Sequence, residues 1–150
     1  MSALDINLKK LKKNAFRYSK VRGETASRIR IPGGVIDAKS LGRVVEIAEK
    51  YGTGTINITN RQGIEIPGIR LEDMDKVNEE VQLIIDSLRI NQPEKGKGYP
   101  ASGTRNVLAC PGARLCPFGC YDTTAFAQKM ENVIFPNDRH VKVAFCLLYT

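Results

Sequence analysis

Between Thr25 and Pro32 the chain reads TASRIRIP, an alternation of period two that halts at Pro32-Gly33-Gly34; this predicts a strand ending in a tight turn. The next segment, DAKSLGRVVEIAEKYG, changes period. Leu41, Val44, Val45 and Ala48 fall at helical spacing, Asp37 offers an N-cap and Gly52 a stop, so an amphipathic helix is expected. TINIT (Thr55 to Thr59) and IEI (Ile64 to Ile66) then flank NRQG, the pattern of a hairpin. LEDMDKVNEEVQLIIDSLRI places acids in its first turn and sets Met74, Val77, Val81, Ile84, Ile85 and Leu88 on one stripe, which predicts a second helix. The order β-α-β-β-α is most of the split βαβ arrangement called ferredoxin-like, a name that implies no iron.

NQPEKGKGYPASG (Asn91 to Gly103) has no periodicity and reads as a linker or long loop. Beyond it RNVLAC predicts a short strand, DTTAFAQKMENVI a helix capped by Asp122, and HVKVAF another strand. The expected fold class is therefore α+β: a basic arm and ferredoxin-like half-domain over residues 1–92, a linker over 93–103, and over 104–150 the start of a second α/β domain.

Composition narrows the class. With 42% hydrophobic residues among 150, the chain can bury a core. No run approaches a membrane span, and MSALDINLKKLKKNAF lacks the apolar centre of a secretion signal, so a cytoplasmic protein is expected. In that compartment the four cysteines are poor disulfide candidates, which leaves metal ligation or inert burial. The net charge of +7 is concentrated: residues 9–30 hold nine Lys and Arg against Glu24 alone. Such a stretch suits nucleic acid, an acidic partner or a polyanionic cofactor, or is simply a solvated helix face.

Three of the cysteines stand in NVLACPGARLCPFGC, spaced Cys110-x5-Cys116-x3-Cys120, with Cys146 distant. Structural zinc favours pairs two to four residues apart, so the five-residue gap matches it poorly, and no redox C-x-x-C is present. A [4Fe–4S] cluster tolerates varied spacings where enough thiolates converge. Pro111, Gly112 and Gly119 suit a backbone folded tightly about a compact centre.

RNVLACPGARLCPFGCYDT resembles the cluster loop of the siroheme-dependent sulfite and nitrite reductases, in which an N-V-x-x-C-x5-C element supplies two thiolates to a [4Fe–4S] cluster. RIRIPGG resembles that family's strand end, and ITNRQGIEIPGI resembles its T-[NT]-R-Q signature. With SKVRGETASRIRIPGG and the motif spacing, the likeness runs from about Asp5 to Ala144 and is greatest to the C-subunit branch of the anaerobic, dissimilatory-type sulfite reductases. The resemblance implies siroheme and a [4Fe–4S] cluster as cofactors, with Cys110 and Cys116 as cluster ligands. It implies siroheme contacts at Thr59, Asn60, Arg61 and Gln62, and anion or proton roles for Arg30, Arg105, Lys142 and His140, the last where the family has lysine. Cys120 matches no family ligand. Cys146 lies near the family's second cysteine pair, but CLLYT lacks its small residues and second thiol, so a truncated copy, inactive alone, is expected.

The implied reaction is six-electron reduction of sulfite to sulfide, with electrons from partner subunits because nothing here resembles a flavin or nicotinamide site. A truncated second unit exposes a sheet edge, so association is expected. Three alternatives stand beside this reading: a nitrite-reducing relative, a basic ferredoxin-like binding module, and a zinc protein. The aromatic sheet motif of RNA-binding ferredoxin-like domains is missing, which argues against nucleic acid.

Overall fold

Antiparallel pairing organises the first two-thirds of the chain. The computed structural model describes Leu11 and residues 15–92, 94–99 and 103–146. Its strands are β1 (Phe16–Tyr18), β2 (Glu24–Ile29), β3 (Asn57–Ile58), β4 (Ile64–Arg70), β5 (Leu108–Ala109) and β6 (Ala144–Phe145); its longer helices are α1 (Ala38–Tyr51), α2 (Met74–Ser87) and α3 (Thr123–Ile134). The first sheet has the order β1-β2-β4-β3, every pair antiparallel.

The expected β-α-β-β-α succession is present as β2-α1-β3-β4-α2. It gains a strand in front. β1 lies within the basic stretch, where Phe16 is its only deeply buried side chain, and pairs Phe16 with Ser27 and Arg17 with Ala26. The Lys9, Lys10, Lys12 and Lys13 helix-face reading lies outside the described residues.

On β2 the inward positions are Thr25, Ser27 and Ile29. Thr25 can be polar because its hydroxyl donates to Arg17 O at 2.5 Å, satisfying a group that burial would otherwise penalise. Ala26 and Arg28 occupy the alternate face. On β4, Ile64, Ile66 and Ile69 face the core, and the change of spacing is taken up by a register shift opposite Thr25 and Ser27.

The helices cover this inward face. Asp37 caps α1, accepting from Ser40 N at 2.8 Å; the Ser40 hydrogen bonds hold its carboxyl down at a pKa of about 2. Val44 and Ala48 are buried as the stripe predicts, but Leu41 and Val45 remain exposed while Ile47 turns inward. α2 buries Met74, Val77, Val81, Ile84 and Ile85 as expected, with Leu88 just beyond its end.

In the second unit β5 and β6 run parallel, Leu108 beside Ala144, with α3 in the crossover that parallel strands require. Asp122 caps α3 by accepting from Ala125 N at 2.9 Å. The units meet at the Pro32–Gly34 turn: Gly33 N donates to Val107 O at 2.9 Å, and α3 packs on the turn. Gly33 has φ +72°, and a Cβ there would press on Thr124 and Ala127 at 3.2–3.3 Å.

Within the segment 91–103, Tyr99 is 1% exposed. Its hydroxyl donates to Arg28 O at 2.8 Å and accepts from Arg30 N at 2.6 Å, and its ring meets Phe135 edge-on. Tyr99→Phe should leave two buried backbone groups unpartnered and cost about 1–3 kcal/mol in urea unfolding; an unchanged midpoint would show that water replaces the hydroxyl. Among the described residues no helix is long and apolar enough to cross a membrane.

Candidate functional site

Strand alternation sends Arg28 to the face of the sheet opposite Thr25, Ser27 and Ile29, and a cavity of about 280 Å³ opens there. Five guanidinium groups line it: Arg17 from β1, Arg28 from β2, Arg30 just beyond β2, Arg61 from the β3–β4 turn and Arg105 before β5. Thr59, Asn60 and Asn106 add hydroxyl and amide groups.

Two carboxylates offset part of this charge. Glu65 accepts from Arg28 Nε at 2.7 Å and is reached by Arg17 at 3.5 Å. Glu131, on α3, is 1% exposed and accepts from Arg30 Nε at 2.5 Å. Among the described residues no carboxylate pairs with Arg61 or Arg105. Burial first, then the charges of Arg105 and Arg30, push the Arg61 guanidinium below its ordinary pKa. Burial and Arg28 do the same to Arg17, against an opposing pull from Glu65. Groups that repel one another in a partly dry site are relieved by an anion, so the wall is suited to carboxylate or oxyanion ligands.

Arg30 is the most enclosed of the five. Its Nη1 donates to Thr104 O at 2.7 Å, its guanidinium stacks 3.8 Å from the Phe135 ring centroid, and its buried Nη2 has no partner among the described residues. Arg61 donates from Nη2 to Asn106 O at 2.9 Å, while its buried Nε likewise has no partner among the described residues.

Two side-chain amides tie this wall to the cysteine loop. Asn106 accepts from Ile31 N at 3.1 Å and donates to Ile31 O at 2.9 Å and Arg61 O at 2.7 Å. Gln62, at φ +57°, donates to Ala109 O at 2.8 Å and accepts from Ala109 N at 3.0 Å. Of the TNRQ residues, Thr59, Asn60 and Arg61 therefore line the cavity, whereas the Gln62 amide is engaged by the strand leading to Cys110.

Cys110 follows β5 directly. Its N–H donates to Phe145 O at 3.0 Å and its carbonyl accepts from Thr123 Oγ1 at 2.5 Å. Cys116 donates from its backbone to Gly112 O at 2.8 Å. Both are half-buried, while Cys120 and Cys146 are exposed. Among the described residues no three His, Cys, Asp or Glu side chains gather around a metal-sized space. His140 and Lys142 are exposed and do not line the cavity, but they flank Val141, whose carbonyl accepts from Arg105 N at 2.9 Å.

Sequence reasoning counted Arg17 and Arg28 only as parts of a charge run, and missed Asn106, Tyr99 and Glu131 as members of the site. A signal existed for two of them. Arg28 and Arg30 are two apart at a strand end and share a face, and Glu131 falls four residues after Ala127 on the covered side of α3.

Fold and site together define an α+β module with an arginine-lined anion cavity beside a cysteine-bearing loop. The model for the nitrite/sulfite reductase ferredoxin-like half domain matches residues 19–84, and that for the nitrite and sulphite reductase 4Fe-4S domain matches residues 101–145. The anaerobic sulfite reductase C-subunit of Salmonella typhimurium is 40% identical over 146 residues, which covers 93% of this chain and 43% of that protein. The fold resembles the Mycobacterium tuberculosis NirA protein (TM-score 0.65, 16% identity, 89% of this chain and 27% of that one) and a dissimilatory sulfite reductase I (TM-score 0.61, 17% identity, 81% and 28%). The chain belongs to the nitrite and sulfite reductase family. It spans less than half the length of the Salmonella relative.

Proposed function

We propose that this chain is part of a siroheme-dependent sulfite reductase that reduces sulfite to sulfide by six electrons, and that its arginine cavity holds the anionic groups of cofactor and substrate. The observation that carries the reading is the convergence of five arginines on one cavity whose neighbouring loop bears Cys110 and Cys116. The residues present fit siroheme, a polycarboxylate: among the described residues two buried guanidinium N–H groups lack partners, and no carboxylate faces Arg61 or Arg105. For a [4Fe–4S] cluster the donor chemistry fits at Cys110 and Cys116, which supply part of a thiolate set.

When bound, siroheme and its cluster supply the iron that takes the anion and the route for electrons. The chain's own residues do the rest. Arg61, with Thr59 and Asn60, holds cofactor carboxylates by charge-assisted hydrogen bonds. Arg105 and Arg30 set the positive field that draws a small dianion from water. For His140 and Lys142, which lie outside the cavity on the surface beside the Arg105 backbone, the proton-donor role rests on the motif resemblance alone. Electrons come from partner subunits. A nitrite-reducing assignment uses the same cavity; the sulfite reading follows the Salmonella relative's name.

Protein produced anaerobically with a siroheme supply should show isobacteriochlorin absorption together with bound iron. A colourless, zinc-loaded preparation would overturn the proposal.

A further inference from the structure

In a parallel pair, alternate residues of a strand point their peptide groups at the partner, and the residues between point theirs the other way. On β5 the N–H groups of Leu108 and Cys110 donate to Val143 O at 3.1 Å and Phe145 O at 3.0 Å, so β6 serves these two residues. The N–H and C=O of Ala109 face the opposite edge. Among the described residues no third strand lies there, and Ala109 is 4% exposed, so water cannot freely serve the edge either.

One side chain fills the gap. The Gln62 amide donates to Ala109 O and accepts from Ala109 N, which is the reciprocal pairing a neighbouring strand would give. Gly34 makes room for it: a Cβ at that position would stand 2.8 Å from Gln62 Cδ. Three separated stretches, Pro32-Gly33-Gly34, Asn60-Arg61-Gln62 and Val107 to Cys110, thus converge on one amide.

We propose that Gln62 is a positioning residue for the cysteine loop, acting as a one-residue substitute strand that fixes the peptide entering Cys110. The role differs from that of Arg61 beside it, which lines the cavity. It also links the two: a single turn carries both the cavity's arginine and the brace of the thiol loop. Its meaning for a cofactor rests on the proposal that Cys110 is a cluster ligand; the hydrogen-bond pattern does not.

The pattern predicts a chemical signature. Glutamate at position 62 still accepts from Ala109 N but, when ionised, sets a second acceptor against Ala109 O; protonation restores the missing donor. Hydrogen exchange at the Ala109 amide, expressed as protection relative to an unstructured peptide at the same pH, reads this directly. Gln62→Leu should lower that protection about tenfold at any pH. Gln62→Glu should lower it similarly at about pH 8 and recover most of it near pH 5. Protection at Val44 and Ile84 should stay as in the parent chain. Alkylation of Cys110 by iodoacetamide, measured against Cys120 in the same molecule, should rise in Gln62→Leu. Unchanged Ala109 protection, failure of Gln62→Glu to recover at the lower pH, or a loss that spreads to Val44 and Ile84 would each overturn the assignment. Iron content after reconstitution with ferrous iron and sulfide is read separately: no iron uptake by the parent chain, with Ala109 behaving as expected, would remove the cluster reading and leave the brace.

Discussion

Glu131→Ala is expected to destabilise the chain by about 3–5 kcal/mol, measured by urea unfolding, because it leaves the Arg30 guanidinium buried without its counter-charge. The Arg30 side chain is 7% exposed and that of Glu131 1%. Neither can turn to water without opening the contact between α3 and the Pro32–Gly34 turn. The comparison that isolates the effect is the double replacement Arg30→Met with Glu131→Leu, expected to lie within about 1–2 kcal/mol of the parent because both charges leave together. Glu65→Ala, which removes a partly exposed partner of Arg28, should cost under about 1 kcal/mol. A Glu131→Ala loss as small as that of Glu65→Ala would show that Arg30 finds water or another acceptor.

Gly112→Ala should cost about 2–5 kcal/mol and loosen the cysteine loop. Gly112 has φ +56°, and a Cβ there would stand 2.4 Å from Thr123 Oγ1 and 2.8 Å from Tyr121 O. Those are the atoms that close the loop: Thr123 Oγ1 donates to Cys110 O, and Tyr121 O accepts from Ala113 N at 3.0 Å. Gly54→Ala is the control, with φ +72° and nothing within 4 Å of the added carbon, so only the left-handed backbone cost of about 1–2 kcal/mol applies. Thermal unfolding separates the two. Equal shifts would mean that the loop shifts to admit the methyl.

Local signals carried most of the fold. Asp37 and Gly52 bound α1, and Asp122 caps α3, because capping depends on residues within one turn. β1 escaped notice for an equally physical reason: one buried ring, Phe16, among cations gives no alternation to read, and the strand owes its existence to pairing with β2. On α1, contact with both β4 and α2 turns Ile47 inward and leaves Leu41 and Val45 outside, a rotation that helical spacing alone does not fix.

The site divides in the same way. Arg30, Arg61 and Arg105 could be named from motifs, since resemblance transfers residue types at fixed spacing. What holds them could not. Asn106 reaches back across 75 positions to Ile31, and Gln62 reaches forward 47 to Ala109. Nothing near either residue in sequence marks the backbone edge it completes. His140 and Lys142 show the converse: motif position suggested them, and the structure sets them on the surface beside Val141.

The Arg30–Glu131 pair joins residues 101 positions apart. A contact of that span is expensive in chain entropy, and each half of it is an unattractive place to put a charge until the other arrives. During synthesis the segment bearing Arg30 emerges long before the helix bearing Glu131. The first sheet by itself brings Arg17, Arg28, Arg30 and Arg61 together, with Arg30 still lacking its counter-charge. Glu131 reaches Arg30 only when α3 docks, and Arg105 joins the wall only with the second unit. The cavity is thus begun by the part of the chain made first and completed by the part made last.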